Sequence, residues 1–246
     1  MKLYFQAFVM CQSMFCAFPW PWPVWEEKAR EKMLPFLPLV GLEIGVVWAI
    51  LAWLVSALHL PGLMAALVVA AYPYFATGFI HLDGFMDVTD AVKSCRSLER
   101  RREILKDSHV GSFAVIGLAL LLLAQFASAA SLPDRNHTVF LLLLPMVSRC
   151  GSLLAVTALP PMNTSQYAGQ NLPGSHIAAG IGLLGVALCA GFRAGVPTGL
   201  GLVGCALGYA LALRWAYRSL EGMNGDIAGY ALTMGELVGL AVYALL

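Results

Sequence analysis

Three aspartates, Asp83, Asp87 and Asp90, stand within eight residues and follow a long apolar stretch. In a helix, positions i, i+4 and i+7 fall on one face, within about 40° of one another. Carboxylates on one stripe repel each other unless a cation lies between them. Mg²⁺ takes carboxylate oxygens, together with water and substrate phosphates. The spacing therefore predicts a Mg²⁺ site, with simple complementation of a helix dipole as the alternative.

A basic segment follows the aspartates and indicates the kind of substrate. It holds six cations, namely Lys93, Arg96, Arg100, Arg101, Arg102 and Lys106. Arg and Lys bind phosphate, and Arg often does so bidentately. An acidic stripe for a metal beside these cations predicts a phosphate or pyrophosphate substrate and phosphoryl transfer. The alternative is that the Arg run only determines membrane topology.

The composition predicts where this chemistry takes place. Hydrophobic residues make up 59% of the 246 residues and charged residues only 12%, whereas a soluble domain has about 25% charged residues. We therefore expect an all-α, polytopic integral membrane helix bundle with about 6–7 transmembrane helices, forming one domain over 1–246. The expected spans are 37–58, 63–82, 110–130, 139–159, 177–192, 196–213 and 227–246. Six cysteines without a CxxC pair argue against a disulfide framework or a zinc site.

The distribution of Lys and Arg sets the expected topology. The basic segment and the cations before the first span should both be cytoplasmic. Seven spans satisfy this, with an inside N-terminus and an outside C-terminus. Residues 1–36 are expected to form an interfacial segment, with a run of alternating Pro and Trp at 19–23, and 83–109 a cytoplasmic catalytic segment.

Three charged residues fall inside the expected spans: Glu43, Arg149 and Glu236. Charges at that depth are costly and usually face a polar cavity, so we expect a cytoplasm-facing active-site cleft. Arg149 either binds substrate or forms a structural ion pair with Glu43 or Glu236. His81 is a candidate site residue by position alone.

Several motifs in the sequence resemble those of a known family. Residues 77–90, TGFIHLDGFMDVTD, resemble the signature of the cobalamin synthase family, the adenosylcobinamide-GDP ribazoletransferases. Residues 99–113, ERRREILKDSHVGSF, are similar to the family's ERR and KDS segment. PMVSR at 145–149, GDIAG at 225–229 with Glu236 after it, and FLPLVG at 36–41 resemble further family elements. The resemblance runs from about residue 10 to 246.

The resemblance implies a Mg²⁺-dependent membrane enzyme of late cobalamin assembly. Adenosylcobinamide-GDP and α-ribazole, or its 5′-phosphate, would be joined with release of GMP. It implies metal ligation by Asp83, Asp87, Asp90 and Asp107, and catalytic roles for Asp83, Asp87, His81 and Lys106. Substrate-binding roles would fall to Arg100, Arg101, Arg102, Ser108, Arg149, Asp226, Glu236 and Glu43. The expected setting is the bilayer of a bacterial or archaeal inner or plasma membrane; a homo-oligomer is compatible with the sequence, and no nucleic acid is expected.

Two other functions compete with this interpretation. A CDP-alcohol phosphotransferase of phospholipid synthesis also uses several aspartates at a membrane surface, but its usual D-x-x-D-G-x-x-A-R motif fits poorly, because here the glycine follows the first aspartate. An ion carrier would use Glu43, Arg149 and Glu236 as a pathway. The charge is concentrated at one face and does not line the spans, which argues against a carrier.

Overall fold

The computed structural model describes residues 2–246 apart from positions 19, 21, 23, 133–136, 164, 166, 167 and 169–171. The prolines of the Pro-Trp run, and parts of the loops before α8 and α9, therefore lie outside the described residues. The described helices are α1 (Lys2–Phe15), α2 (Glu27–Arg30), α3 (Leu37–Ala57), α4 (Gly62–Ala76), α5 (Ile80–Lys93), α6 (Leu98–Ile104), α7 (Ser112–Ala130), α8 (Thr138–Ala158), α9 (Ser175–Ala194), α10 (Val196–Leu220) and α11 (Gly225–Ala244). A 3-10 turn, Leu34–Phe36, precedes α3.

Six of these helices are long and apolar enough to cross a membrane: α3, with the turn before it, and α7 to α11. A seventh crossing exists if α4 and α5 together form one broken span. The predicted membrane helix bundle is confirmed. The sixth span is longer than expected, because α10 continues to Leu220.

The second expected span, 63–82, was wrong as one continuous helix. Helix α4 ends at Ala76, and α5 leaves at 87° to it. Gly78 and Phe79 both have left-handed φ angles, +57° and +64°. The Gly78 N–H donates to the Phe75 carbonyl and the Phe79 N–H to the Tyr74 carbonyl, which is the Schellman arrangement that terminates helices. The aspartates therefore lie on a helix of their own.

Close backbone contact holds α3 against α8. A Cβ added at Gly41 would lie 2.4 Å from the Pro145 carbonyl oxygen, and one at Gly45 would lie 2.0 Å from the Leu142 carbonyl oxygen. Only glycine at both positions permits this approach, as in the small-residue packing of membrane helices. This contact positions Arg149, which lies one helical turn beyond Pro145.

Several helix ends meet at one end of the bundle, here called the aspartate end. They are the start of α7, the end of α10 and the start of α11, all next to α5 or α6. Asp90 of α5 contacts Gly111 before α7, and Gly84 contacts Asp226 in the first turn of α11. Arg101 of α6 contacts the carbonyl of Ser219 near the end of α10.

Helix α1 is packed into the bundle along one side. Its residues Met10 and Cys11 are buried within the larger hydrophobic core, which α3 and α8 also build. Met14 and Phe15 reach an internal cavity. The expected interfacial segment is therefore partly a wall of the bundle, while its depth relative to a membrane stays a prediction.

Candidate active site

The acidic centre is formed where α5 crosses the start of α11. Asp83 and Asp87 lie one turn apart on α5, and Asp226 lies in the first turn of α11. A Cβ at Gly84 would stand 2.9 Å from the Asp226 Cα, so a glycine is needed for the two helices to come this close. The negative charge of Asp83 acts on both Asp87 and Asp226. We call Asp83, Asp87 and Asp226 the carboxylate cluster.

Asp226 joins this cluster although the sequence suggested only a substrate-binding role for it. Asn224 fixes its position: the Asn224 side-chain oxygen accepts from the Ile227 N–H at 3.0 Å, which caps α11. The Asn224 amide nitrogen donates to Asp226 Oδ2 at 2.7 Å. Sequence reasoning missed Asn224. The helix-start pattern Asn-Gly-Asp was the available signal, since Asn is a preferred N-cap residue.

Asp90 has a different environment from Asp83 and Asp87. Its carboxylate accepts hydrogen bonds from the Gly111 N–H and, at 3.1 Å, from the Ala114 N–H. Both amides lie at the start of α7 and have no carbonyl partner within that helix, and a negative charge there also complements the helix dipole. Asp90 therefore caps a neighbouring helix. If Asp90 also bound a metal ion, as its spacing predicts, the same carboxylate would have to cap α7 and ligate the metal.

Asp107 lies on the exposed loop before α7. Its carboxylate accepts from the His109 N–H at 3.0 Å and lies 2.6 Å from His109 Nδ1. The backbone N–H of His109, followed by its ring, holds the pKa of Asp107 below the ordinary value. Asp107 is not one of the carboxylates whose charge acts on Asp87; those are Asp83, Asp226 and Asp90. Metal ligation by Asp107 stays a prediction from the sequence.

The basic run divides into two kinds of contact. Arg101 Nη1 donates to the Ser219 carbonyl at 3.2 Å, and Arg102 donates to the carbonyls of Leu220 and Glu221 at 3.0 and 2.7 Å. These two cations thus satisfy carbonyls at the C-terminal end of α10, where positive charge is favourable. Arg100 instead pairs with Glu103 at 2.6 Å on the exposed face of α6.

Lys106 and Ser108 are exposed. Lys106 and Arg102 line a polar pocket of about 350 Å³ together with Asn163. This pocket lies at the aspartate end, beside the loop that follows α8. Of the basic residues to which the resemblance assigns catalytic or substrate-binding roles, Lys106 and Arg100 are those whose side chains reach solvent without contacting a helix end.

Deeper in the bundle, Arg149 and Glu236 form an ion pair. Arg149 Nη1 lies 2.8 Å from Glu236 Oε1, and the two side chains are only 2% and 8% exposed. Ser148 Oγ donates to the same carboxylate oxygen at 2.7 Å, and Arg149 also donates to the Pro145 carbonyl at 3.1 Å. Of the alternatives left open for Arg149, the structure contains the ion pair with Glu236.

Glu43 and His81 are the other two site candidates from the expected spans. Gln12 of α1 hydrogen-bonds to the half-buried Glu43, while Glu43 Oε2 has no hydrogen-bond partner among the described residues. The His81 ring stacks on Phe15, with centroids 6.3 Å apart and planes 9° from parallel. The His81 carbonyl accepts from Thr233 Oγ1 at 3.3 Å, which ties the start of α5 to α11.

The donor chemistry of the carboxylate cluster fits a hard cation. Within the part of the chain that the structure describes, no three His, Cys, Asp or Glu side chains come close enough to hold a metal ion by themselves. Mg²⁺ commonly uses one or two carboxylates and takes its remaining ligands from water and substrate phosphates. The mutually repelling carboxylates of the cluster, with the Asn224 side-chain amide beside them, suit a metal site that leaves positions for water and substrate.

Comparison with known proteins identifies similar chains over the full length. A family described as cobalamin-5-phosphate synthase matches residues 7–244. An adenosylcobinamide-GDP ribazoletransferase of Clostridium perfringens (strain SM101 / Type A) is 34% identical over 251 residues, covering 100% of both chains. Proteins of the same name from Clostridium botulinum (strain Alaska E43 / Type E3) and Geotalea daltonii are 32% and 36% identical; they cover 98% and 87% of this chain and 97% and 86% of their own. No solved structure matches the chain.

Proposed function

The chain belongs to the cobalamin-5-phosphate synthase family, and from that premise we propose that it is an adenosylcobinamide-GDP ribazoletransferase. A hydroxyl of α-ribazole, or of its 5′-phosphate, attacks the phosphorus attached to cobinamide. The new P–O bond replaces the pyrophosphate P–O bond, GMP leaves, and the hydroxyl proton passes to a base at the site. The product is adenosylcobalamin or its 5′-phosphate.

The observation that carries this proposal is the carboxylate cluster and its place beside a cavity. Asp83, Asp87 and Asp226 come from two helices that glycine brings into contact. Asp226 also lines a cavity that extends into the bundle. Phosphoryl transfer needs charge neutralisation and positioning more than covalent chemistry from the protein. An acidic centre open to solvent on one side and to a cavity on the other supports such a reaction.

We assign Mg²⁺ to the carboxylate cluster. Asp83 and Asp87, one turn apart on α5, would supply its carboxylate ligands, and when bound it would neutralise charge on the pyrophosphate and on departing GMP. Asn224 keeps the Asp226 carboxylate oriented. Lys106 and Arg100 are placed to meet the nucleotide phosphates from the aspartate end. His81 and Asp226 both line the cavity, and in our proposal Asp226 is the base, because it lies at the same end as the carboxylates that would hold the metal.

We place the aspartate end in the cytoplasm of a bacterial or archaeal cell, with the chain in the inner or plasma membrane. The supporting pattern is electrostatic: α6 and the end of α10 bring Arg101, Arg102, Arg214 and Arg218 to that end. Lys and Arg accumulate on the cytoplasmic side of membrane proteins. A cytoplasmic site also gives a nucleotide-activated substrate direct access.

The alternatives receive no support from the comparisons. The family and the relatives are described by cobalamin assembly and not by phospholipid synthesis or ion transport. Arg149 and Glu236 neutralise each other within the bundle, which is unfavourable for an ion pathway.

The test is a transfer assay with protein purified in nanodiscs. Wild type with Mg²⁺, adenosylcobinamide-GDP and α-ribazole or its phosphate should yield the cobalamin product and equimolar GMP by mass spectrometry. Asp83→Asn should lose transfer, while Glu31→Gln, an exposed acid far along the chain from the site, should retain it. Absence of product, or full activity of Asp83→Asn, would overturn the proposal. CMP release from a CDP-alcohol, or ion flux into proteoliposomes, would instead indicate one of the alternatives.

A further inference from the structure

A cavity of about 320 Å³ runs from the carboxylate cluster into the bundle. This volume lies at the lower end of the range for small-molecule sites, about 300–1,000 Å³. Its apolar wall comes from α1, the turn before α3, and helices α3, α5, α8 and α11, with the residues Phe15, Leu34, Leu37, Ile80, Val156 and Leu232. Such a space suits a compact apolar group.

The polar residues of the cavity are unevenly placed. Asn224 and Asp226 line it where α11 begins. Leu232 lies six residues further along α11, about 9 Å deeper at the rise of an α-helix. Arg149 and His81 belong to the inner part, because they also line the small pocket beside Glu236. The cavity therefore has an acidic mouth, a mostly apolar middle with Ser152 as a polar residue, and a donor-bearing inner end.

The inner end holds an unsatisfied hydrogen-bond donor. Arg149 Nη1 is fully used by Glu236, Ser148 and Pro145, but the buried Nε–H has no hydrogen-bond partner among the described residues. The same is true of the buried His81 Nε2. A buried polar group left unpaired costs about 1–3 kcal/mol. A ligand that brings an acceptor nitrogen to this point would remove that cost.

We propose that the cavity binds the heteroaromatic base of the acceptor, α-ribazole, with its ribose directed toward Asp226. This inference rests on the proposed function. The base is a flat, bicyclic, uncharged ring system with methyl groups and one acceptor nitrogen, which matches apolar walls ending in an unpaired N–H. The stacked pair of Phe15 and His81 offers a planar aromatic surface.

The other candidate groups fit the cavity less well. The corrin ring is far larger than this space. The pyrophosphate and the guanosine phosphate are anionic, and they would meet Asp226 at the mouth and approach Glu236, which lies beyond the inner end as the partner of Arg149. Arg149 does not offset this repulsion, because its charge is already paired. The nucleotide-activated donor therefore belongs outside, over the carboxylate cluster, and the acceptor base inside.

Binding without turnover tests the assignment. In nanodiscs without Mg²⁺ or donor, the intrinsic fluorescence of α-ribazole reports its Kd. Val156→Phe fills the cavity and should raise that Kd at least tenfold, while the Kd of adenosylcobinamide-GDP stays unchanged. Val186→Phe, the same exchange at a position 64% exposed on α9, is the matched control. Val156→Ala, which enlarges the cavity, should keep binding.

A second measurement uses wild type and does not depend on a variant folding. Free 5,6-dimethylbenzimidazole should compete with α-ribazole and should not compete with adenosylcobinamide-GDP. Competition with the donor, or folded Val156→Phe that binds α-ribazole as wild type does, overturns the cavity assignment while leaving transfer intact. Wild type that neither binds nor transfers α-ribazole refutes the proposed function itself. The two failures are therefore distinguishable.

Discussion

Two groups of charges lie close together in this bundle and differ in how they are compensated. The Arg149–Glu236 pair is buried and holds its charges in one salt bridge, with Ser148 and a backbone carbonyl as further partners. Among the described residues, the carboxylate cluster holds like charges, and Asn224 donates a side-chain hydrogen bond to its member Asp226. In the buried pair each charge depends on the other, so loss of one partner is costly, whereas the uncompensated repulsion in the cluster costs stability and is typical of a site that awaits a ligand.

The largest effect should come from removing one carboxylate of the cluster. Asp87→Asn should lower transfer at least about 100-fold, as does the loss of one electrostatic group in other enzymes. The half-saturating Mg²⁺ concentration should rise as well. Stability should stay the same or increase, because Asp87 is repelled by Asp83 and Asp226. Thermal unfolding in nanodiscs measured beside the transfer rate checks both; unfolding of the variant would contradict the comparison.

For the buried Arg149–Glu236 pair we expect the opposite result, namely a large loss of stability when one partner is removed. Arg149→Met leaves Glu236 buried and unpaired, which should cost about 3–5 kcal/mol. The double variant Arg149→Met with Glu236→Leu should recover most of this loss, since apolar groups can replace a buried pair. Chemical unfolding of the single and double variants measures the difference. If the double variant is no more stable than the single one, the pair has a role other than mutual compensation.

The spacing of Asp90 groups it with Asp83 and Asp87, but its hydrogen bonds are those of a residue that caps α7. Asp90→Ala should cost about 1 kcal/mol, the typical value of an N-cap, and Asp90→Asn less, because its amide oxygen still accepts one hydrogen bond. The half-saturating Mg²⁺ concentration should stay near that of wild type in both. A rise as large as that of Asp87→Asn would instead make Asp90 a metal ligand, as its spacing from Asp83 and Asp87 suggested.

The arginines of α6 should also divide into one that stabilises the fold and one that binds the substrate. Arg102→Met removes two hydrogen bonds to the end of α10 and should cost about 1 kcal/mol of stability. Arg100→Met breaks an exposed pair with Glu103, so its stability should change by less than about 0.5 kcal/mol. The KM for adenosylcobinamide-GDP should rise for Arg100→Met. An unchanged KM would remove Arg100 from the proposed donor site.

The sequence predicted the membrane helix bundle and the helical aspartate stripe, because apolar length and i, i+4 spacing are local properties. It could not say which charges face each other. Asp90 and Asp87 are equivalent in the sequence, yet only tertiary packing brings Asp90 to the start of α7. Likewise, Arg149 had two candidate partners, and the approach of α8 to α11 decided between them. The bend after α4 was also missed, since a left-handed phenylalanine carries no clear sequence signal.

That bend is the element that orients α5 toward both groups of charges, and changes in it should have a small effect on stability. Phe79 has φ +64° and lies against Phe75 at a centroid distance of 5.1 Å. A left-handed conformation costs a non-glycine residue about 1–2 kcal/mol. Phe79→Gly removes this strain but also the ring contact, so stability should increase by less than about 1 kcal/mol. Phe79→Ala keeps the strain and loses the contact, so it should be the less stable of the two by about 1 kcal/mol. Equal stability of the two variants in thermal unfolding would mean that the turn relaxes without glycine, and α5 would then be held in place by its contacts with α7 and α11.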